Sequence, residues 1–207
     1  MSLTIPNGFL LVIEGVDGAG KSTVAKRVVE YCQQQGIPLV ASREPTDGPW
    51  GRKLRESAQT GRLSLEEELE LFIRDRREHV EHRIRPALEA GSVVLLDRYY
   101  FSTAAYQGAR GADPTRILAE NEAFAPQPDL LLLLDIDPSK SLHRVHGRGD
   151  QPNEFEREAA LLEVRRIFLS ISRPYLVKID AGQPPDAVER DVLTAFSAAL
   201  AAKRGKP

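Results

Sequence analysis

An α/β fold built on an open, five-stranded parallel sheet is what the sequence predicts. Short unbroken runs of Val, Leu and Ile recur along the chain, and such runs suit strands buried on both faces of a parallel sheet. Each run is followed by a helical stretch, and strand–helix alternation implies right-handed crossovers. The chain has 207 residues, 42% hydrophobic and 28% charged, which fits one soluble domain covering 1–207.

The elements follow in order. A first strand is expected at Phe9–Glu14 and a helix at Lys21–Gln35, stopped by Gly36 as C-cap. A second strand spans Leu39–Arg43. A long helix runs over Leu65–Ala90, with apolar Leu65, Leu69, Phe72 and Val80, and ends at Gly91. The third strand is Val93–Asp97. Asp113 and Pro114 open a helix reaching Phe124, as an N-cap and a first-turn proline do. Strands at Leu130–Asp135 and Leu176–Ile179 and helices at Glu154–Ser172 and Asp186–Lys203 complete the set. The polar, Gly- and Pro-containing stretch His143–Asn153 reads as a mobile loop, part of a small lid at about 143–156. Residues 202–207 read as a basic, disordered tail.

Several classes are excluded. The longest apolar runs fall far short of the roughly 20 residues of a membrane helix. The opening Met1-Ser2-Leu3 lacks a signal-peptide pattern, so a cytoplasmic protein with no membrane partner is expected. The one cysteine, Cys32, rules out an internal disulfide or a Cys-based zinc cage. A net charge of −2 disfavours nucleic acid as partner, though not a small anionic ligand.

The strongest signal lies at the first strand–helix junction. Gly15-Val16-Asp17-Gly18-Ala19-Gly20-Lys21-Ser22, followed by Thr23, fits G-x-x-x-x-G-K-[ST] between a strand and a helix. The glycines let consecutive backbone N–H groups face phosphate oxygens, and the helix N-terminus adds positive potential. Lys21 reaches the outer phosphates and Ser22 offers a hydroxyl to Mg²⁺. The fold is therefore expected to be the three-layer P-loop NTPase architecture. Asp97, ending the third strand, is a candidate magnesium ligand, through water; the alternative is a strand-end carboxylate capping a loop. Asp135, ending the fourth, is a second candidate. Arg98 rather than an acid follows Asp97, so transfer to an acceptor is favoured over hydrolysis. Arg43 and Arg98 sit at the strand ends where open α/β sheets bind ligands, and arginine forks suit phosphate. Phe72 and Arg76 share one helix face, placing a ring beside a donor as base recognition requires; Phe72 as plain core is the alternative.

The chain resembles the thymidylate kinases. That family carries a similar P-loop, then Arg43-Glu44-Pro45, then Leu71-Phe72 with Arg76, then Asp97-Arg98-Tyr99-Tyr100-Phe101-Ser102-Thr103-Ala104-Ala105-Tyr106-Gln107-Gly108. The resemblance implies transfer of the ATP γ-phosphate to dTMP with Mg²⁺, giving ADP and dTDP. It implies that Phe72 stacks on thymine and Arg76 bonds a base carbonyl. Ser102 and Gln107 would lie at the base edge, Tyr106 beneath the deoxyribose, Arg43 and Arg98 on the acceptor phosphate, and Asp17 near both sugar and phosphate. Family members are commonly homodimers. The variable P-loop positions contain no arginine, so Arg144 and Arg148 of the lid are the expected catalytic cations beside Lys21, Asp17 and Arg98, with Arg157 a further candidate. Two departures stand out: Thr46-Asp47-Gly48 where bacterial members often have Gly-Gly-Thr, and Gln151–Glu156 where a lid Asp-Arg-x-Glu is common. Alternatives are a kinase of another deoxynucleotide or deoxynucleoside, and a non-catalytic nucleotide-binding protein.

Overall fold

In the computed structural model, which describes residues 5–61, 63–146 and 154–205, five parallel strands form one sheet. They are β1 (Phe9–Glu14), β2 (Leu39–Arg43), β3 (Val93–Asp97), β4 (Leu130–Asp135) and β5 (Leu176–Asp180), in the order β2-β3-β1-β4-β5. The central strands are buried along almost their whole length, as unbroken apolar runs demand. The register pairs both Ile13 of β1 and Arg43 of β2 with Asp97. The C-terminal ends of these three strands therefore come level, and the residues that follow them, Gly15, Glu44 and Arg98, share one edge.

The helices cover the sheet in layers. After β1 comes α1 (Lys21–Gln34), which packs with the terminal helix α9 (Pro185–Arg204). Phe196 of α9 meets Phe9 and Tyr31 edge-on at 5.7 and 6.0 Å. Helix α2 (Pro49–Thr60) lies against α3 (Leu65–His79), which opens with a capping box between Ser64 and Glu67. The predicted run to residue 90 is helical throughout but not uniform. A π-helical turn at Val80–Ile84 separates α3 from α4 (Arg85–Glu89). Pro86 explains it: proline lacks an N–H and its ring collides with a carbonyl one turn back, so the ladder slips there. Helix α5 (Tyr100–Gly108) touches α3, α6 (Pro114–Glu122) and α8 (Glu154–Ser170).

Two expectations are corrected. Residues 143–146 are helical, the end of α7 (Pro138–His146), rather than loop. Asp137 starts that helix, accepting from the Ser139 backbone N–H at 3.0 Å and its hydroxyl at 2.5 Å. The tail also begins later than residue 202. Helix α9 continues to Arg204, and Lys203 donates to Asp129 Oδ1 at 2.6 Å. Among the described residues no helix is long and apolar enough to cross a membrane.

Candidate functional site

Two clefts meet at the C-terminal edge of β1, β2 and β3. The larger, about 510 Å³, is lined by 17–24 with Asp97, Arg98 and Arg144, and by Ala181, Gln183, Pro185, Val188 and Glu189 from the β5–α9 connection and α9. The smaller, about 190 Å³, is lined by Phe72 and Arg76 of α3, Ser102, Thr103, Tyr106 and Gln107 of α5, and Glu44, Pro45 and Tyr99. Asp17 and Arg98 line both. They form an ion pair, and the Tyr106 hydroxyl donates to Asp17 Oδ2 at 3.2 Å.

The first cleft is built around the contiguous loop 17–24. Gly15 has φ +144, and a Cβ there would come within 2.5 Å of the Leu134 carbonyl oxygen, so the turn requires glycine twice over. Gly15 and Val16 lie beneath the cleft, and their carbonyls accept from Lys21 Nζ, each at 3.0 Å. Lys21 is only 7% exposed. Burial, aided by Arg98, pulls its ammonium down to about 8. Asp97 Oδ2 accepts from Ser22 Oγ at 3.0 Å, while Asp97 Oδ1 is buried without a hydrogen-bond partner. That orphaned oxygen beside a hydroxyl is the donor chemistry a hard cation takes. Among the described residues no group of three or more His, Cys, Asp or Glu could hold a metal. A magnesium site here would draw its other ligands from phosphate and water. The second strand-end candidate, Asp135, is engaged in a two-point ion pair with Arg165 at 2.6 and 3.0 Å.

The second cleft is made of side chains held by a buried polar network. Arg76 is 1% exposed. It donates from Nε to Glu44 Oε2 at 2.8 Å, from Nη1 to Asn121 Oδ1 at 2.6 Å and from Nη2 to Thr103 Oγ1 at 3.1 Å. Nη2 also lies 2.7 Å from Glu44 Oε2, so all three guanidinium nitrogens are engaged at the wall of the cleft. Glu44 Oε1 lies 2.9 Å from His79 Nδ1, whose Nε2 lies 2.8 Å from Ser42 Oγ. Phe72 is half-buried, outside the core cluster, and lines this cleft. Gln107 donates from Nε2 to Glu68 at 3.3 Å, leaving Oε1 buried without a partner. A carboxylate only accepts, so Glu68 fixes the amide with its oxygen free.

Several expected residues sit elsewhere. Arg43 ends β2 as predicted, but its side chain is 64% exposed, pairs with Asp47 at 2.9 Å and lines neither cleft. Arg144 lines the first cleft and donates to the Ala181 carbonyl at 3.1 Å. Arg148 and the Arg157 side chain lie outside the described residues, as do 147–153 of the expected lid. In the Thr46-Asp47-Gly48 stretch, Thr46 donates its N–H and hydroxyl to Asp75, at 2.8 and 2.6 Å. Gly51 packs so close that a Cβ would come within 2.0 Å of the Thr46 carbonyl oxygen. Sequence reasoning missed Asp75, His79, Thr103, Asn121 and Glu14. Only Glu14 left a signal, as the charged residue closing an apolar run.

Comparison with known proteins shows the family. The sequence model of the family described as Thymidylate kinase matches residues 13–192. A thymidylate kinase of Xanthomonas campestris pv. campestris (strain B100) is 50% identical over 196 residues, covering 95% of this chain and 86% of that protein. One from Xanthomonas euvesicatoria pv. vesicatoria is 51% identical over the same shares. One from Akkermansia muciniphila is 50% identical over 190 residues, 92% of each chain.

Proposed function

The chain belongs to the thymidylate kinase family and transfers the γ-phosphate of ATP to dTMP, and we propose which cleft and which residues serve each substrate. The large cleft takes ATP on the loop 15–23, and the small one takes dTMP. The observation that carries this reading is the Asp17–Arg98 pair lining both clefts, since a transferred group must pass between its two sites. Phe72 stacks the base. Arg76 as donor and the free Gln107 Oε1 as acceptor suit a ring that presents a carbonyl beside an N–H, as thymine does and cytosine does not. Tyr106 lies at the sugar, and Arg98 holds the acceptor phosphate, with Ser102 beside it. Arg43 joins only if its pair with Asp47 opens.

The chemistry needs no general base. A phosphate monoester has its second pKa near 6, so the attacking oxygen is already anionic at neutral pH. Alignment and charge neutralisation are what the protein supplies. Lys21 leaves the two loop carbonyls for the outer phosphates, and Arg144 or Arg148 adds positive charge from the far side. Ser22 and, through water, Asp97 would hold Mg²⁺, and the ion would screen phosphate charge.

We also place the enzyme in the cytoplasm, where ATP is abundant and a lone thiol such as Cys32 stays reduced. It acts as a homodimer. That reading rests on resemblance to a family whose members are commonly homodimers.

ADP release measured with Mg–ATP over dTMP, dUMP, dCMP, dGMP and thymidine tests the substrate assignment. Turnover is expected with dTMP foremost and none with dCMP. Turnover with thymidine alone would reverse the assignment, and nucleotide binding without turnover would favour a regulatory protein.

A further inference from the structure

Glu14 is the last residue of β1, one position before the phosphate loop, and has no exposed surface. Its partners all lie beyond β3. Oε1 accepts the backbone N–H of Tyr99 at 2.7 Å and of Ser102 at 3.0 Å, and Oε2 accepts the Ser102 hydroxyl at 2.6 Å. Helix α5 has no side-chain cap of its own at Tyr99. A carboxylate from another strand therefore does that work, satisfying two N–H groups at the positive end of the helix.

The hydroxyl bond has a consequence for the neighbouring arginine. A serine hydroxyl has one proton and two lone pairs. Because Ser102 gives its proton to Glu14, only its lone pairs are left, and Arg98 Nη1 donates to Ser102 Oγ at 3.1 Å. Arg98 also has φ +72, a left-handed conformation that is strained for a residue with a β-carbon. Its backbone is held there by an N–H bond of 3.0 Å to Ile13, the residue before Glu14. The end of β1 thus grips both the backbone and, through Ser102, the side chain of the arginine shared by the two clefts.

We infer that Glu14 is a positioning residue for phosphoryl transfer: through Ser102 it aims Arg98 at the acceptor phosphate and fixes α5, which carries the dTMP contacts, to the strand that carries the ATP loop. The inference rests on the assignment of the small cleft to dTMP. A carboxylate is needed rather than an amide. Glutamine has the same shape and one accepting oxygen, but its NH₂ would donate to Ser102 Oγ and turn the hydroxyl proton toward Arg98.

Steady-state kinetics of the full chain at pH 8, with Mg–ATP and dTMP, test this on Glu14→Gln, Ser102→Ala and the double variant. Each single substitution should lower kcat/KM for dTMP by about tenfold or more, with KM for ATP near the wild-type value. The double variant should be no worse than the poorer single one, because both break the same link. Multiplying losses, parallel loss toward both substrates, or wild-type kinetics in Glu14→Gln would overturn the inference. If Glu14→Gln does not fold, Ser102→Ala alone decides: wild-type kinetics there would overturn it too. Wild-type turnover of dTMP is measured first. Its absence would sink the cleft assignment and the inference together, whereas wild-type turnover with unaffected variants sinks the inference alone.

Discussion

The ATP cleft and the dTMP cleft share a wall but are built on different principles. The first is built around one contiguous segment, 17–24, with Lys21 resting on two carbonyls of the same loop, and is completed by Asp97, Arg98, Arg144 and the β5–α9 connection. The second is assembled from the turn after β2, α3 and α5 with Asp17 and Arg98, and its key arginine is held by Glu44 after β2, Thr103 of α5 and Asn121 of α6. A backbone cradle places little stability at risk in any one side chain. A wired cradle places a great deal, because each buried charge depends on a partner far away in sequence. Function and stability should therefore separate in the first cleft and fail together in the second.

Arg76→Met is the substitution with the largest expected effect. It leaves Glu44, itself 4% exposed, with only His79 as counter-group and strands the Asn121 and Thr103 oxygens. Breaking a buried pair by removing one partner typically costs about 3–5 kcal/mol. Urea unfolding should show that loss, and the remaining folded enzyme should bind dTMP poorly. A variant that kept wild-type stability would mean the second cleft is not wired as described.

Lys21→Ala should do the reverse. Loss of a preorganised donor to developing phosphate charge lowers kcat by about 10²–10³. The thermal midpoint should hold or rise, since a desolvated ammonium is removed and its partners are carbonyls of a loop that glycines already shape. A large fall in midpoint with modest loss of kcat would show that the loop depends on its lysine and would erase the contrast.

The same contrast explains what could be read in advance. Contiguous features were legible: the five strands, the loop 15–23, and the i, i+4 pair Phe72 and Arg76. Features that depend on distant pairing were not. Nothing local marks Asn121 as a partner of Arg76 or Asp75 as the anchor of Thr46, because α3 meets each only in the folded state. Helices α2, α5 and α7 were missed, although Pro49 and Asp137-Pro138 carry the first-turn signals that marked Asp113-Pro114; the apolar residues of α2 and α7 are too sparse to show a repeat beside them. Arg43 shows a related limit. Its place at the sheet edge follows from the strand, but Asp47, four residues on, claims the side chain.

Proton linkage gives the finest test, because the two clefts should respond to pH with opposite signs. Burial pushes the Glu14 carboxyl up from 4.5 to about 7, although Ser102, Arg98, the Tyr99 N–H and Lys21 pull the other way. Between those values the folded chain keeps a proton that the unfolded chain has released, so this group's contribution to stability falls as pH rises from 4.5 to about 7. Burial and Arg98 pull Lys21 down from 10.5 to about 8. There the unfolded chain holds the extra proton, so this contribution rises with pH from about 8 to 10.5. Each slope is on the order of 1 kcal/mol per pH unit. Urea midpoints followed across both ranges should show Glu14→Gln removing the acid slope alone and Lys21→Ala removing the alkaline slope alone. If either substitution flattened both ranges, the two groups would titrate as one unit, and the carboxylate serving the dTMP side could not be separated from the lysine serving the ATP side.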